Sequence, residues 1–453
     1  MLIRVVVENL FSFDDQKEFT TIPNKRLKTL ENHKYRFNNF EILKLSSIYG
    51  ANGAGKSNLI KCLSLFKNLI INEEIPFNLK GTQFKFKEKF NKDQIFAIEF
   101  IQDSKAYYYG IKLKNNLIST EELYLSGLGN SPDEMIYERY TNESGSTSIK
   151  FLPRFEEDEK SQVLKSVLLE EFVKPYEPIL KLLSNRDNKF LMDVKSAFKW
   201  FDDTLQIIIP QSKPSALAHR IDTDTKLKAY AEELMCSFNI GVSGLKADKK
   251  SLEDFFGEDN LEETEKWRKR VEDSPKKMIG IRIGRGAELV IVKENNKIWV
   301  KNLQVEHVGV NQNTVFFDLD EESDGTIRLL DFVPAFQDIV VSNRVYIIDE
   351  IERSIHPLLI KQLIKKFSLD KKSKGQLIFS THESNLLDQE IFRQDEIWFA
   401  EKDKTGATDI YSLSDFKEHK TIDIRKGYLN GRYGSIPFLG NLKDLNWHKY
   451  DIN

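Results

Sequence analysis

Residues 50 to 57 read Gly-Ala-Asn-Gly-Ala-Gly-Lys-Ser, and this run restricts the possible folds more than any other stretch of the chain. An apolar stretch, Ile42 to Tyr49, precedes it, and an apolar-periodic one follows with Leu59, Ile60, Leu63, Leu65 and Phe66. That is the strand, loop and helix setting of a phosphate-binding P-loop. The glycines allow the backbone to turn its N–H groups inward around a polyphosphate. Lys56 is expected to reach the β and γ phosphates and the Ser57 hydroxyl to hold Mg²⁺. Asn52, Gly53, Ala54, Gly55, Lys56, Ser57 and Asn58 are therefore the candidate nucleotide-binding residues, with ATP and Mg²⁺ as the expected cofactors.

A strand feeding a helix through such a loop implies an α/β P-loop NTPase, and the 453 residues leave room for two to three domains. The formal net charge of −3 marks neither nucleic acid nor an anionic membrane as the main partner, although a local basic face is compatible with it. The two cysteines, Cys62 and Cys236, are too few and too far apart for a disulfide scaffold or zinc site, and fit a reducing compartment. The opening Met1 to Val7 turns polar at Glu8, too soon for a signal peptide, and no run of 18 apolar residues occurs. A cytoplasmic protein with no membrane partner is expected.

Three regions are expected. Residues 1–150 hold the P-loop and β-type runs: Leu2 to Val7, and a hairpin of Ile95 to Ile101 with Tyr107 to Leu113. Residues 151–275 read as a mostly helical insertion or compact arm. Its apolar stripes are Leu164, Leu168, Phe172; then Phe190, Val194, Ala197, Phe201; then Leu227, Ala231, Leu234, Phe238. Residues 276–453 begin with a hairpin, Leu289 to Val292 and Ile298 to Val300, and then alternate helix and strand. A helix Thr326 to Val341 bent at Pro334, a strand Val345 to Ile348, a helix Pro357 to Phe367 and a strand Gln376 to Ser380 imply a mostly parallel sheet.

The second half of a nucleotide site is expected at Val345-Tyr346-Ile347-Ile348-Asp349-Glu350. Four apolar residues suit a strand buried on both faces, and carboxylates at its tip should lie beside the neighbouring phosphate loop. Asp349 would help hold Mg²⁺, and Glu350 would act as general base on the attacking water. Ser380-Thr381-His382 ends the next apolar strand and places an imidazole at the edge of the same sheet tip, in reach of a γ-phosphate. Glu322-Ser323-Asp324-Gly325-Thr326 opens a helix, and two readings stay open there. Ser323 and Gly325 could accept a second subunit's phosphate, or Ser323 or Asp324 could be an ordinary helix cap.

The order of these motifs resembles ABC-type ATPases of the SMC, Rad and RecF kind, and most closely the prokaryotic subgroup with RloA, AriA and the ATPase portion of OLD-family proteins. Three stretches support this: Glu8-Asn9-Leu10-Phe11-Ser12-Phe13, the run Asp349-Glu350-Ile351-Glu352-Arg353-Ser354-Ile355-His356-Pro357, and the tail Gly427 to Pro437 with its Gly431-Arg432-Tyr433-Gly434 core. The resemblance implies an ATPase head formed by the N- and C-terminal lobes. It further implies that Ser323 and Gly325 are signature residues completing a partner's ATP site, that Ser354 to His356 form a D-loop, and that His382 is a switch histidine. No Q-loop glutamine stands out between Gln83 and Gln94. Only 71 residues follow His382, too few for an OLD-type TOPRIM nuclease domain. Asp318-Leu319-Asp320 reads as ATPase scaffold rather than a metal pair.

The resulting expectation is an ATP-hydrolysing switch that assembles as a homo-oligomer through ATP-sandwiched heads. It would act in antiviral defence beside a separately encoded nuclease or toxin and respond to a phage protein. The competing expectations are a RecF-like DNA-maintenance ATPase, which needs a basic groove, and a non-hydrolysing scaffold.

Overall fold

The computed structural model describes residues 1–73, 79–86, 92–257, 260–284, 287–416 and 422–436. Pro437, the last residue of the tail motif, lies outside them. The central sheet gathers six strands from distant parts of the chain. These are β1 (Leu45–Tyr49), β2 (Leu205–Ile208), β3 (Val345–Ile348), β4 (Gln376–Thr381), β5 (Ile397–Lys402) and β6 (Thr408–Ser412). Their spatial order is β2-β3-β4-β1-β5-β6, parallel except for β6.

The apolar composition of β3 follows from its position. Val345 and Ile347 enter one apolar cluster and Tyr346 and Ile348 the other. A strand covered on both faces leaves no polar register. On one side lies α1 (Lys56–Asn72), whose Leu59, Ile60, Leu63 and Phe66 pack with a seven-stranded antiparallel sheet. That sheet contains the strand Leu2–Glu8 and the hairpin Gln94–Gln102 with Lys105–Lys114. The Phe66 and Phe96 rings stack at 3.6 Å across this contact. On the other side lie α2 (Asp324–Val341), with Pro334 in its interior, and α3 (Pro357–Leu369). Gln376 ties the two sheets: it accepts the Leu2 N–H at 2.7 Å and donates to the carbonyls of Leu2 at 3.0 Å and Leu43 at 2.8 Å.

The segment 151–275 does not stand apart as an arm. Leu180, Leu183, Val194, Trp200 and Phe201 join the cluster around α1, whereas Leu227, Ala231, Leu234 and Met235 join the cluster around α2 and α3. Two of its stretches are strands. β2 covers the free edge of β3, and Val242–Ser251 borders a five-stranded sheet that holds the expected hairpin as Ala287–Glu294 and Lys297–Val308. The reason is apolar surface: these stripes are buried in the same clusters as the helices and sheets of the two lobes. Phe172 is the exception among the stripes and lies exposed.

Candidate nucleotide site

The loop 50–55 sits at the C-terminal tip of β1, and Gly55 caps α1 in the left-handed region with φ +108°. A Cβ on Gly55 would lie 2.1 Å from Thr408 Oγ1, and one on Gly50 2.4 Å from the Ala400 carbonyl oxygen, so both positions exclude a side chain. Thr408 Oγ1 hydrogen-bonds Ser12 Oγ at 2.7 Å and the Ala54 carbonyl at 3.0 Å, and Asn58 Nδ2 donates to Ser12 Oγ at 2.8 Å. The opening Phe-Ser-Phe turn and β6 thus brace the loop from outside. Asn52 and Gly53 form its exposed crest. Lys56 is buried, and its Nζ donates to the carbonyls of Gly50 at 2.6 Å and Ala51 at 3.1 Å. Burial pulls the Lys56 pKa down, opposed by the charges of Glu352, Asp349 and Glu350.

Asp349 and Glu350 follow β3, as expected, but β3 does not adjoin the P-loop strand. β4 lies between them. The carboxylate reaches the loop because the first turn of α1 leans across: Ser57 Oγ donates to Asp349 Oδ1 at 3.0 Å. Ser380, at the end of β4, donates to the same oxygen and receives the Glu350 N–H at 2.9 Å. Asp349 N–H in turn donates to the Ile208 carbonyl of β2 at 2.8 Å. Glu350 holds φ +49°, a left-handed conformation that costs a non-glycine residue ~1–3 kcal/mol and collects at functional sites. Its side chain is partly exposed and lies 3.9 Å from the Arg353 guanidinium.

His382 comes off β4, which is interior to the sheet, so the imidazole stands at the middle of the strand tips and not at the expected edge. Its backbone N–H and its Nδ1 both lie 2.8 Å from Glu352 Oε1. Ser323 caps α2, accepting the Thr326 N–H at 3.1 Å, as the cap reading required. Gly325 faces the chain's own Ser354, whose carbonyl oxygen would lie 2.9 Å from a Cβ there. Ser323 and Gly325 therefore have neighbours other than this chain's P-loop. Gln94 is buried and donates to Thr82 Oγ1 at 3.0 Å. Asp318 accepts from Asn302 at 2.9 Å and Gln304 at 3.0 Å, as a scaffold residue would.

Sequence reasoning missed Ser12, Thr408, Ser380 and Glu352 as parts of the site. Three of them carried a signal: Ser12 in the opening Asn-Leu-Phe-Ser-Phe run, Ser380 in Ser-Thr-His and Glu352 two places after Glu350. Among the described residues no group of three or more His, Cys, Asp or Glu side chains could cage a metal ion. The paired Ser57 hydroxyl and Asp349 carboxylate are hard oxygen donors, the set Mg²⁺ takes when phosphate and water complete its shell. Among the same residues no helix is long and apolar enough to cross a membrane.

A mostly parallel sheet with a P-loop and an acidic strand tip defines a P-loop NTPase fold of the AAA type. The chain belongs to the family described as "AAA domain, putative AbiEii toxin, Type IV TA system", which matches residues 45–388. No curated protein matches it by sequence. Similar solved structures include an Smc head bound to the C-winged helix domain of ScpA, at 12% identity and TM-score 0.43, covering 92% of this chain and 99% of that one. The SMC head domain from Thermotoga maritima follows at 10% and 0.37, covering 91% and 98%. A third is an Smc head with an extended coiled coil, bound to the C-terminal domain of ScpA derived from Pyrococcus furiosus, at 12% and 0.39, covering 95% and 99%. Likeness this distant says nothing about substrates or partners.

Proposed function

We propose that the chain binds MgATP at residues 52–58 and hydrolyses it, using the nucleotide to switch the association of two copies. The observation that supports this reading is the direct Ser57–Asp349 hydrogen bond, which joins the first turn of α1 to the acidic tip of β3, with Lys56 and Glu350 the adjacent residues on the two elements. Lys56 would exchange its two loop carbonyls for phosphate oxygens. Mg²⁺, when bound, would be held by Ser57 and Asp349 and would neutralise phosphate charge. Glu350 would orient the attacking water and take its proton as the oxygen bonds to the γ-phosphorus, while the bond from that phosphorus to the β–γ bridging oxygen breaks and ADP leaves. His382 would contact the γ-phosphate. Ser323 and Gly325 of a second copy would close over the nucleotide, making a homo-oligomer through ATP-sandwiched heads.

The family's printed description names a toxin and a type IV TA system, which supports placing the switch beside a toxic effector. The finer reading is antiviral defence, with a separately encoded nuclease or toxin released when a phage protein is sensed. Phosphate release and light scattering on the wild type, Glu350→Gln and Lys56→Ala test the core of this. Turnover in the wild type, its loss in Glu350→Gln with ATP-dependent association kept, and loss of both in Lys56→Ala are expected. A wild type without turnover refutes hydrolysis, and unchanged turnover in Glu350→Gln refutes the assignment of the base.

A further inference from the structure

Glu352 is 8% exposed and lies in the loop that leaves β3, three residues past Asp349. Its Oε1 accepts the His382 backbone N–H at 2.8 Å, and the imidazole Nδ1 of the same residue lies 2.8 Å from that oxygen as an ion-pair contact. Its Oε2 is buried and has no hydrogen-bond partner among the described residues. Burying a carboxylate costs stability unless donors meet it, and one oxygen here goes unmet. A leucine would fill the same space without that cost, so packing alone does not explain a glutamate. With Nδ1 turned to the carboxylate, Nε2 projects from the far side of the ring, and the His382 side chain is 54% exposed. A carboxylate on one imidazole nitrogen fixes the tautomer and aims the other nitrogen.

We infer that Glu352 is a positioning residue for His382, clamping the ring by Nδ1 and the backbone N–H so that Nε2 faces the γ-phosphate. This rests on the reading of His382 given above. It differs from a simple charge effect of Glu352 on Lys56, because a clamp needs an acceptor oxygen and not a negative charge. Glutamine keeps the oxygen and drops the charge.

The test is steady-state ATPase kinetics on the full chain for Glu352→Ala, Glu352→Gln, His382→Ala and the alanine double variant. Glu352→Ala should lower kcat about 10–100-fold, the range for removing an orienting partner, and leave KM nearly unchanged. Glu352→Gln should return most of that loss. Within His382→Ala, adding Glu352→Ala should cost nothing more. Losses that multiply in the double variant, or a Glu352→Gln as poor as Glu352→Ala, overturn the clamp. Histidine-labelled ¹⁵N spectra give a readout that needs no turnover. The chain has 7 histidines, and His382→Ala identifies the relevant signal. That signal should move in Glu352→Ala and hold its tautomer in Glu352→Gln; if Glu352→Ala leaves it in place, the inference fails. A wild type without ATPase activity would sink the hydrolysis reading, while the spectra still decide the clamp. Glu352→Leu replaces the alanine variant should that one not fold.

Discussion

Gly55 offers a probe of the P-loop that touches no charged group. Replacing it with alanine forces an L-residue to hold φ +108°, which costs roughly 1–2 kcal/mol. The new methyl would also lie 2.1 Å from Thr408 Oγ1, 2.7 Å from its Cγ2 and 2.9 Å from its Cβ. Thr408 cannot swing away cheaply, being 1% exposed and hydrogen-bonded to Ser12 and Ala54. Overpacking of this sort costs about 1–3 kcal/mol, so Gly55→Ala should destabilise the chain by roughly 2–5 kcal/mol in all. Thr408→Ala removes the two nearest of the three clashing atoms. In that background the same Gly55→Ala change should cost about 1–2 kcal/mol less, a coupling that a double-mutant cycle isolates. Urea titration followed by tryptophan emission suits the purpose, because Trp200 and Trp398 both sit in the cluster that contains α1. Affinity for a fluorescent ATP analogue should fall in parallel. An unchanged urea midpoint for Gly55→Ala, or an equal cost with and without the Thr408 side chain, refutes the steric argument.

Lys44 and the two thiols yield further expectations. Burial lowers the Lys44 pKa to about 8 against the partial support of Glu396 and Asp370, while its Nζ donates to the Phe367 and Asp370 carbonyls. Between pH 8 and 10.5 the unfolded chain keeps this proton and the folded chain sheds it, so this group makes stability rise with pH across that window. Lys44→Met should flatten that rise in denaturation measured at successive pH values; parallel wild-type and variant profiles would disprove it. Cys62 is fully buried and burial pushes its thiol pKa far up, whereas Cys236 is exposed. A colorimetric thiol reagent should therefore titrate one cysteine in the native chain and two in denaturant, and two fast thiols in the native state would contradict the fold around α1.

The parts of the site that could be read from the sequence are those whose chemistry is written locally. A P-loop announces itself by glycine spacing, and the strand Val345 to Ile348 by four apolar residues that end in carboxylates. What could not be read depends on the order of strands in space. Nothing in Leu205-Gln206-Ile207-Ile208 distinguishes a sheet-edge strand from the end of the helices around it, because four residues are too few to show a period. Nor does the sequence reveal that β4 separates β3 from β1, which moves His382 from the rim to the middle of the strand tips. Thr408 escapes for the same reason: it is an unremarkable hydroxyl until β6 and the opening turn close on Gly55. Glu352 stood in plain view within a recognised string. Its neighbour His382 lies 30 residues on, however, and only the fold joins them.

The ladder from β2 into β3 runs one rung further than the strands themselves, since the Ile208 carbonyl receives the N–H of Asp349. Through this single peptide contact the stretch that departs at Ile209 is moored to the residue that grips the Ser57 hydroxyl. A pull on that stretch would arrive at the Asp349 carboxylate with no loop to absorb it, and a rearrangement of that carboxylate would be felt in return at the edge of the sheet.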